Sequence, residues 1–371
     1  MANWKDRIWK FSSVFKVLSI ISFVSLLLCY ISPYFHPETL PFLPFVGLSY
    51  PVIILVNLGW LVFWAILRSK WAFYTLFIIL LGGNLHFRSF SITLSEDEPG
   101  KNKLKITSYN VRLFDIYNPN FEAALIRRNE IFQFLRTNNP DILCIQEFYR
   151  QEKPTKFETI DSLFSIMGNS KFYHERSAFN KHANQNFGIA LFSKYEIIAK
   201  GDVKFQTQGK DDFNYCIYAD IVKEKDTFRV YNVHLQSIRL SNEYDGDGKI
   251  ASNLDEKRTL IGVYRKLKIA FLDRADQART VIEHANTSPY STIICGDFND
   301  TPMSYTYNIF NRKLTDAFRN TSTGIGATYI GKIPAGRIDF IFHSKNLKSN
   351  DFQIQKEELS DHRAISCIIS K

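Results

Sequence analysis

The sequence predicts a two-part chain, an apolar helical region over residues 1–95 followed by an α/β domain over 96–371. Three observations carry that prediction. Long uncharged runs crowd the first ninety positions, the hydropathy pattern changes after the polar joint "SEDEPGKNK", and beyond it short apolar strands alternate with amphipathic segments. A chain of 371 residues also exceeds the usual single domain.

In the apolar region, the stretches Val17 to Pro37, Thr39 to Leu67 and Trp71 to Phe87 contain no Asp, Glu, Lys or Arg. A bilayer core takes roughly 20 apolar residues per helix, so the runs predict three transmembrane helices over about 11–32, 42–67 and 71–90. A cleaved signal peptide fits poorly, because "LLCYISPYF" lacks a small-x-small site and further apolar runs follow. Lys5, Arg7, Lys10 and Lys16 precede the first run and Arg68 and Lys70 separate the second from the third, whereas the first joint offers only Glu38. Short cytoplasmic joints retain positive charge, so the N-terminus is expected in the cytoplasm and everything after about Ser95 on the outer side of an integral membrane protein.

The formal charge of +9 divides unevenly. Residues 1–95 hold seven Lys and Arg against two Asp and Glu, a balance of +5, which leaves +4 for the rest. That remainder permits a polyanionic substrate without arguing for one. Cys29 lies in the first apolar run, and Cys144, Cys216, Cys295 and Cys367 each sit within a strand-like run with no CxxC spacing, so neither a disulfide nor zinc is expected.

After the joint, "LKITSYNVRLF" reads as a strand, "FEAALIRRNEIFQFLRTN" as a helix and "DILCIQEF" as a strand. "FGIALFSKYEI", "NYCIYADIV" and "TFRVYNVHLQ" continue as strands. The helix "RADQARTVIEHAN" leads into "STIICGDFN", and "RIDFIFHS" and "RAISCIIS" close the domain. These strands end in hydrophilic groups. Asn110 closes the first, Gln146 and Glu147 the second, Asn232 and His234 lie in "VYNVHLQ", and Asp297, Asn299 and Asp300 follow "STIIC". Asp339 sits inside "RIDFIF", and Asp361 and His362 stand just before the last strand. Each group alone reads as a solvated edge, a turn or a hydrogen-bonded core residue; converging strand ends make them one site.

At these residues the chain resembles the endonuclease/exonuclease/phosphatase superfamily, which includes pancreatic-type deoxyribonucleases, abasic-site endonucleases, neutral sphingomyelinases and inositol polyphosphate 5-phosphatases. The resemblance runs from about Lys103 to Lys371 in the family's order: Asn in the first strand, Gln-Glu, Asn-x-His, Gly-Asp-Phe-Asn, Arg-Ile-Asp and Ser-Asp-His. It implies a DNase I-like four-layer α/β/β/α sandwich of two mixed sheets, with the site at one edge.

The chemistry of these residue types agrees with the resemblance. Phosphodiester hydrolysis needs an oxygen-ligated hard cation, a water aimed in line at phosphorus, and donors for charge on the non-bridging oxygens. Glu147 is the candidate ligand for Mg²⁺, or Mn²⁺, with Asn110 and Asp361 close by or acting through water. By similarity, Asp297 orients and deprotonates the attacking water and Asn299 donates to developing charge. His362 is expected to donate as imidazolium with Asp339 as its partner, since a neighbouring anion favours the charged ring. His234 resembles the family histidine that assists the leaving oxygen, with Asn232 beside it. Spacing leaves open which histidine is the general acid. Arg337 is a candidate phosphate contact, with a structural salt bridge as the alternative.

Other segments read more plainly. "HERSAFNKH", with His174 and His182, reads as a solvated loop without zinc spacing, and "TGIGATY" as a turn, since no P-loop Lys follows. The acidic stretch "LSNEYDGDGKIASNLDEK" lacks EF-hand spacing and reads as a surface loop, with a lid as the functional alternative. The expected function is a membrane-anchored, divalent-metal-dependent phosphoesterase acting on lipid-linked phosphates at the outer face. A membrane-anchored nuclease acting on nucleic acid is the alternative. The bilayer and the phosphate ester are the expected partners, with no protein partner predicted.

Overall fold

The computed structural model describes residues 4–93, 98–181, 183–206, 214–238, 256–331 and 336–371. The chain separates into two compact units, Met1–Ser89 with Thr301–Asn308, and Phe90–Asp300 with Ile309–Lys371.

The first unit contains α1 (Trp4–Ile31), α2 (Leu43–Leu48), α3 (Tyr50–Ile66), α4 (Trp71–Leu81) and the single turn α5 (His86–Ser89). Only one stretch, Ser13–Tyr34, is long and apolar enough to cross a membrane among the described residues, which corrects the expectation of three spans. Prolines divide the second apolar run, with one at the start of α2 and another at the start of α3. At 1.5 Å per residue, α3 reaches about 25 Å and α4 about 17 Å, against a hydrocarbon core of about 30 Å. The third run stops at Gly82, whose Cβ would fall 2.2 Å from the His86 ring.

The second unit opens with β1 (Leu104–Asn110), α6 (Phe121–Asn138), β2 (Ile142–Gln151), α7 (Ile160–Ile166), β3 (Phe172–Asn180) and β4 (Gln185–Ser193). There follow β5 (Ile197–Val203), β6 (Tyr215–Lys223), β7 (Asp226–His234), α8 (Glu256–Asn286) and β8 (Ser291–Asp297). The chain ends through α9 (Tyr305–Lys313), β9 (Thr315–Asp316), α10 (Ala317–Thr321), β10 (Asp339–His343), β11 (Lys348–Ile354) and β12 (Ile365–Ser370). α6 begins where the Asn120 side chain accepts from the Glu122 and Ala123 amides and ends at left-handed Asn139, so both of its ends are capped.

The strands form two six-stranded mixed sheets, ordered β11-β12-β1-β2-β4-β3 and β5-β6-β7-β8-β10-β9. Alternate side chains of the two sheets meet in one apolar layer: Ile106, Cys144 and Leu191 from one, Val230, Ile293, Cys295 and Ile341 from the other. The opposite face of the first sheet packs Tyr109, Leu143, Ile145 and Phe192 against Ile131, Phe132 and Leu135 of α6 and Leu163 of α7. On the second sheet, Tyr231 of β7 reaches His284 of α8, with its hydroxyl 2.8 Å from Nδ1. This is the expected α/β sandwich. All five cysteines are buried free thiols.

Two strand expectations change. "FGIALFSKYEI" divides at Ser193 into β4 and β5, which belong to different sheets. "HERSAFN" is part of edge strand β3 rather than a loop, and His174 Nε2 lies 2.9 Å from Asp202 Oδ1. His182 and residues 240–255, the body of the acidic stretch, lie outside the described residues.

Candidate active site

Register explains why the polar strand ends meet. In the second sheet His234 of β7 and Asp339 of β10 both pair across from Asp297 of β8, so three polar residues form one row. In the first sheet Asn110 of β1 pairs across from Gln146 of β2. Gly296 allows the β8 turn: its φ is +146°, and a Cβ there would fall 1.9 Å from the Val233 carbonyl oxygen.

Asp297 is buried at the centre. The Asn299 amide donates to its Oδ1 at 2.8 Å, and the Asn110 side chain donates to Oδ2 at 3.0 Å. The same Oδ2 lies 3.7 Å from His234 Nε2 and 3.6 Å from His362 Nε2. Burial and the nearby Asp339 raise the Asp297 carboxyl, while His362, His234 and Asn110 pull it down.

His362 Nδ1 lies 3.0 Å and 3.2 Å from the two oxygens of Asp339. Burial opposes charge on the ring, but Asp339 and Asp297 outweigh it and raise the imidazole to about 10. At neutral pH His362 is therefore a cation with Nε2 directed at Asp297. Thr328 fixes its partner, since the buried hydroxyl accepts from the Ile338 and Asp339 amides, each at 3.1 Å.

Glu147 stands at a bulge between Ile145 and Phe148 with φ of +48°, strained backbone of the kind that persists where surrounding structure enforces it. It accepts from Asn110 at 3.3 Å. Burial and Asp361 push its carboxyl up to about 7. Asn110, Glu147 and Asp361 offer only oxygen ligands, the donor set a hard divalent cation prefers. The burial and the repulsion that raise Glu147 are what such an ion would offset, so the residues fit it. A second group, Asp297, Asp339 and His362, places one potential ligand atom from each within 4.8 Å of the others.

Two expected substrate contacts are occupied. Asn232 is fully buried; its amide nitrogen donates to the Ile145 and Ala190 carbonyls, each at 2.9 Å, and its oxygen accepts from Gln146 at 2.6 Å. All its hydrogen-bonding groups tie one sheet to the other, so the structure makes it a cross-sheet tie in place of a substrate contact. Arg337 is buried and pairs with Asp316 at 2.8 Å, with its guanidinium 4.6 Å from the Phe318 and Phe340 ring centroids. That is the salt-bridge alternative.

Sequence reasoning missed four residues around the site. Thr328 hides in the glycine-rich "TGIGATY". Arg112 follows Asn110 by two positions, and its Nε lies 3.8 Å from Asp361 Oδ2. It opens a run in which Arg112, Leu113, Phe114 and Asp115 all have positive φ. Arg274 and Gln277 of α8 lie beneath the strand-end loops.

A buried carboxylate between an imidazolium and a second histidine, beside an oxygen-rich cation set, on two packed mixed sheets, suits the metal-dependent hydrolysis of phosphoesters. The chain belongs to the Endonuclease/Exonuclease/phosphatase family, whose model matches residues 107–362. Residues 12–89 match a second family model, a domain of unknown function (DUF8431). The curated relative "Carbon catabolite repressor protein 4 homolog 6" of Arabidopsis thaliana is 23% identical over 260 residues, 62% of this chain; the match spans 30% of that protein's length. Among solved structures, the human Nocturnin catalytic domain with bound sulfate anion aligns with a TM-score of 0.50 at 18% identity, covering 74% of this chain and 96% of that one. An endonuclease/exonuclease/phosphatase family protein from Leptotrichia buccalis C-1013-b gives a TM-score of 0.50 at 16% identity, covering 72% and 100%. At such identities the structures speak for the fold, and the class of chemistry rests on the family match and the site.

Proposed function

We propose that the protein is a Mg²⁺-dependent phosphoesterase held at a membrane, with lipid-linked phosphate esters as substrates. The observation that carries the lipid reading is the inverted polarity of the helical unit. Ile66 and Phe73 are each 75% exposed, and Val52, Leu55 and Leu80 are also exposed, whereas Asn57 and Thr75 are fully buried. Trp64 Nε1 donates to Ser19 Oγ at 3.0 Å, and the Asn57 amide donates to the Ser22 carbonyl at 3.2 Å. Water-soluble surfaces rarely present contiguous apolar area beyond a few hundred Å². Apolar side chains outside and hydrogen-bonded polar ones inside suit lipid as the solvent. A single span leaves the same parity as three, so the catalytic domain is proposed to lie on the outer side.

In this reading Asp297 orients and deprotonates the attacking water, and His362 donates to a phosphoryl oxygen. Asn299 keeps one amide hydrogen for developing charge, since the other is donated to the Leu235 carbonyl at 3.0 Å. His234 serves the leaving oxygen. Bound Mg²⁺ would neutralise charge on the phosphate from the Glu147 side. A nuclease is the second reading, supported by the family's breadth and permitted by the +4 balance of residues 96–371.

The test is hydrolysis by the full-length protein in detergent with Mg²⁺, on phospholipid mixed micelles and on supercoiled plasmid, beside Asp297→Asn and a chelator control. Phosphate-ester cleavage in the micelles, lost in both controls, supports the lipid reading. Plasmid nicking without lipid cleavage moves the nuclease ahead, and a steep salt dependence of that nicking would strengthen it. Cleavage of neither substrate by folded, Mg²⁺-binding protein overturns both.

A further inference from the structure

A buried guanidinium lies under the catalytic turn, and the chemistry above leaves it unused. Arg274 of α8 is 1% exposed and ranks among the largest fully buried side chains. Burial lowers its pKa against the opposing pull of Asp300, Asp297 and Asp273, so it is a desolvated cation surrounded by carboxylates. Its Nη1 donates to the Asn299 carbonyl oxygen. Its Nε donates to the Ala270 carbonyl at 3.1 Å and lies 3.7 Å from Asp300 Oδ2, and the guanidinium sits 4.9 Å from the Phe271 ring centroid.

One helical turn on, Gln277 Oε1 accepts from the Gln236 amide at 2.8 Å, two residues beyond His234. Residues at i and i+3 share a helix face. One face of α8 therefore holds both the loop that follows β7 and the turn that follows β8.

What Arg274 grips decides how Asp297 is presented. Asn299 has φ of +53°, a left-handed conformation that needs local support in a residue other than glycine. Its amide occupies Asp297 Oδ1, which leaves Oδ2 facing Asn110, His234 and His362. The Asn299 N–H belongs to the peptide unit before the carbonyl that Arg274 grips, so a shift of the Asn299 backbone that freed this carbonyl would move the N–H with it, release Oδ1 and let the carboxylate turn.

We propose that Arg274, assisted by Gln277, is a positioning residue: it holds the Asn299 turn so that Asp297 keeps Oδ2 toward the reacting centre. The proposal rests on the phosphoesterase reading of the site. It predicts a loss in the chemical step, since a catalytic group displaced by about 1 Å costs on the order of 100-fold.

The experiment compares full-length wild type, Arg274→Met and Arg274→Lys in detergent, with saturating Mg²⁺ and a chromogenic aryl phosphodiester. Folded Arg274→Met is expected to lose about 100-fold in kcat with KM within about 3-fold, and added guanidinium to restore part of kcat in the variant but not in wild type. Hydrogen exchange at the 298–300 amides should quicken in the same variant. A folded variant with kcat within about 3-fold of wild type, or a loss confined to KM, overturns the proposal. Where Arg274→Met fails to fold, Arg274→Lys decides: a kcat reduced at constant KM supports it, and an unchanged kcat overturns it. If wild type cleaves no phosphodiester, the phosphoesterase reading fails separately, and exchange at 298–300 still reports whether Arg274 holds the turn.

Discussion

Asp339→Asn removes the anion that keeps His362 charged while preserving the shape of the site. In the native protein the imidazole rises from 6.5 to about 10 despite burial, a preference for the protonated form of roughly 5 kcal/mol at about 1.4 kcal/mol per tenfold. Because the folded value exceeds the unfolded one, this stabilisation is complete below about pH 6.5 and is lost as pH rises through about 10. Without Asp339, burial still opposes the charge and only the carboxylates of Asp297 and Asp361 favour it, so His362 should titrate well below its native value. Above that lowered value the ring loses its proton, and kcat/KM falls by about tenfold for each further pH unit. The basic limb of the pH–rate profile should move from near pH 10 to lower pH, and the deficit should shrink toward pH 6. The assay is kcat/KM of the full-length protein from pH 5.5 to 10.5 with saturating Mg²⁺. A uniform loss at every pH, with the basic limb unmoved, would refute the assignment of His362 as the charged donor.

Two further outcomes follow from the same geometry. Burial and Asp361 raise Glu147 to about 7, so in cation-free protein this site loses stability as pH rises from about 4.5 to 7. Mg²⁺ binding at pH 6.5 should release a proton, measured by titration calorimetry in buffers of differing ionisation enthalpy, and Glu147→Gln should abolish the release. Arg337→Met leaves Asp316 buried without its guanidinium and should cost about 3–5 kcal/mol in chemical denaturation. KM should stay within about 2-fold; a raised KM at unchanged stability would restore Arg337 as a phosphate contact.

The sequence was legible where local chemistry and tertiary role coincide. α6 occupies the stretch its apolar spacing and polar N-cap mark, Phe121–Asn138. β8 announces itself as an apolar run that stops at Asp297, whereas β2 continues through the bulge at Glu147 to Gln151. β3 escaped because its side chains are mostly half-buried or exposed at a sheet edge, so no alternation survives in "FYHERSAFN". β4 and β5 merged because a chain crossing between sheets need not interrupt its apolar pattern. Three apolar runs were equally legible as hydropathy, but helix length depends on where Pro and Gly cut them. Asn232, Arg274 and Arg337 share one difficulty: a polar side chain shows its type in sequence and its partners only in the fold. Arg274 looks like any solvated arginine on an amphipathic helix until Asn299 is brought over it.

Charge balance explains why these polar residues belong together. Glu147, Asp297, Asp339 and Asp361 bring four carboxylates to the site, while Arg112 and the imidazolium of His362 answer two of them. Beneath the turn Arg274 and Asp300 largely offset one another. Leaving His234 aside, the surplus of about two negative charges has two outlets. Glu147 can take a proton, as its rise to about 7 reflects, or a divalent cation can replace that proton. The second outlet also makes phosphate binding possible, because an anion approaching an uncompensated carboxylate cluster meets repulsion that Arg112 and His362 cannot cancel alone. Protonation of Glu147 and binding of the cation are thus competing answers to one electrostatic problem, and the pH at which the proton yields marks where the site becomes ready for its substrate.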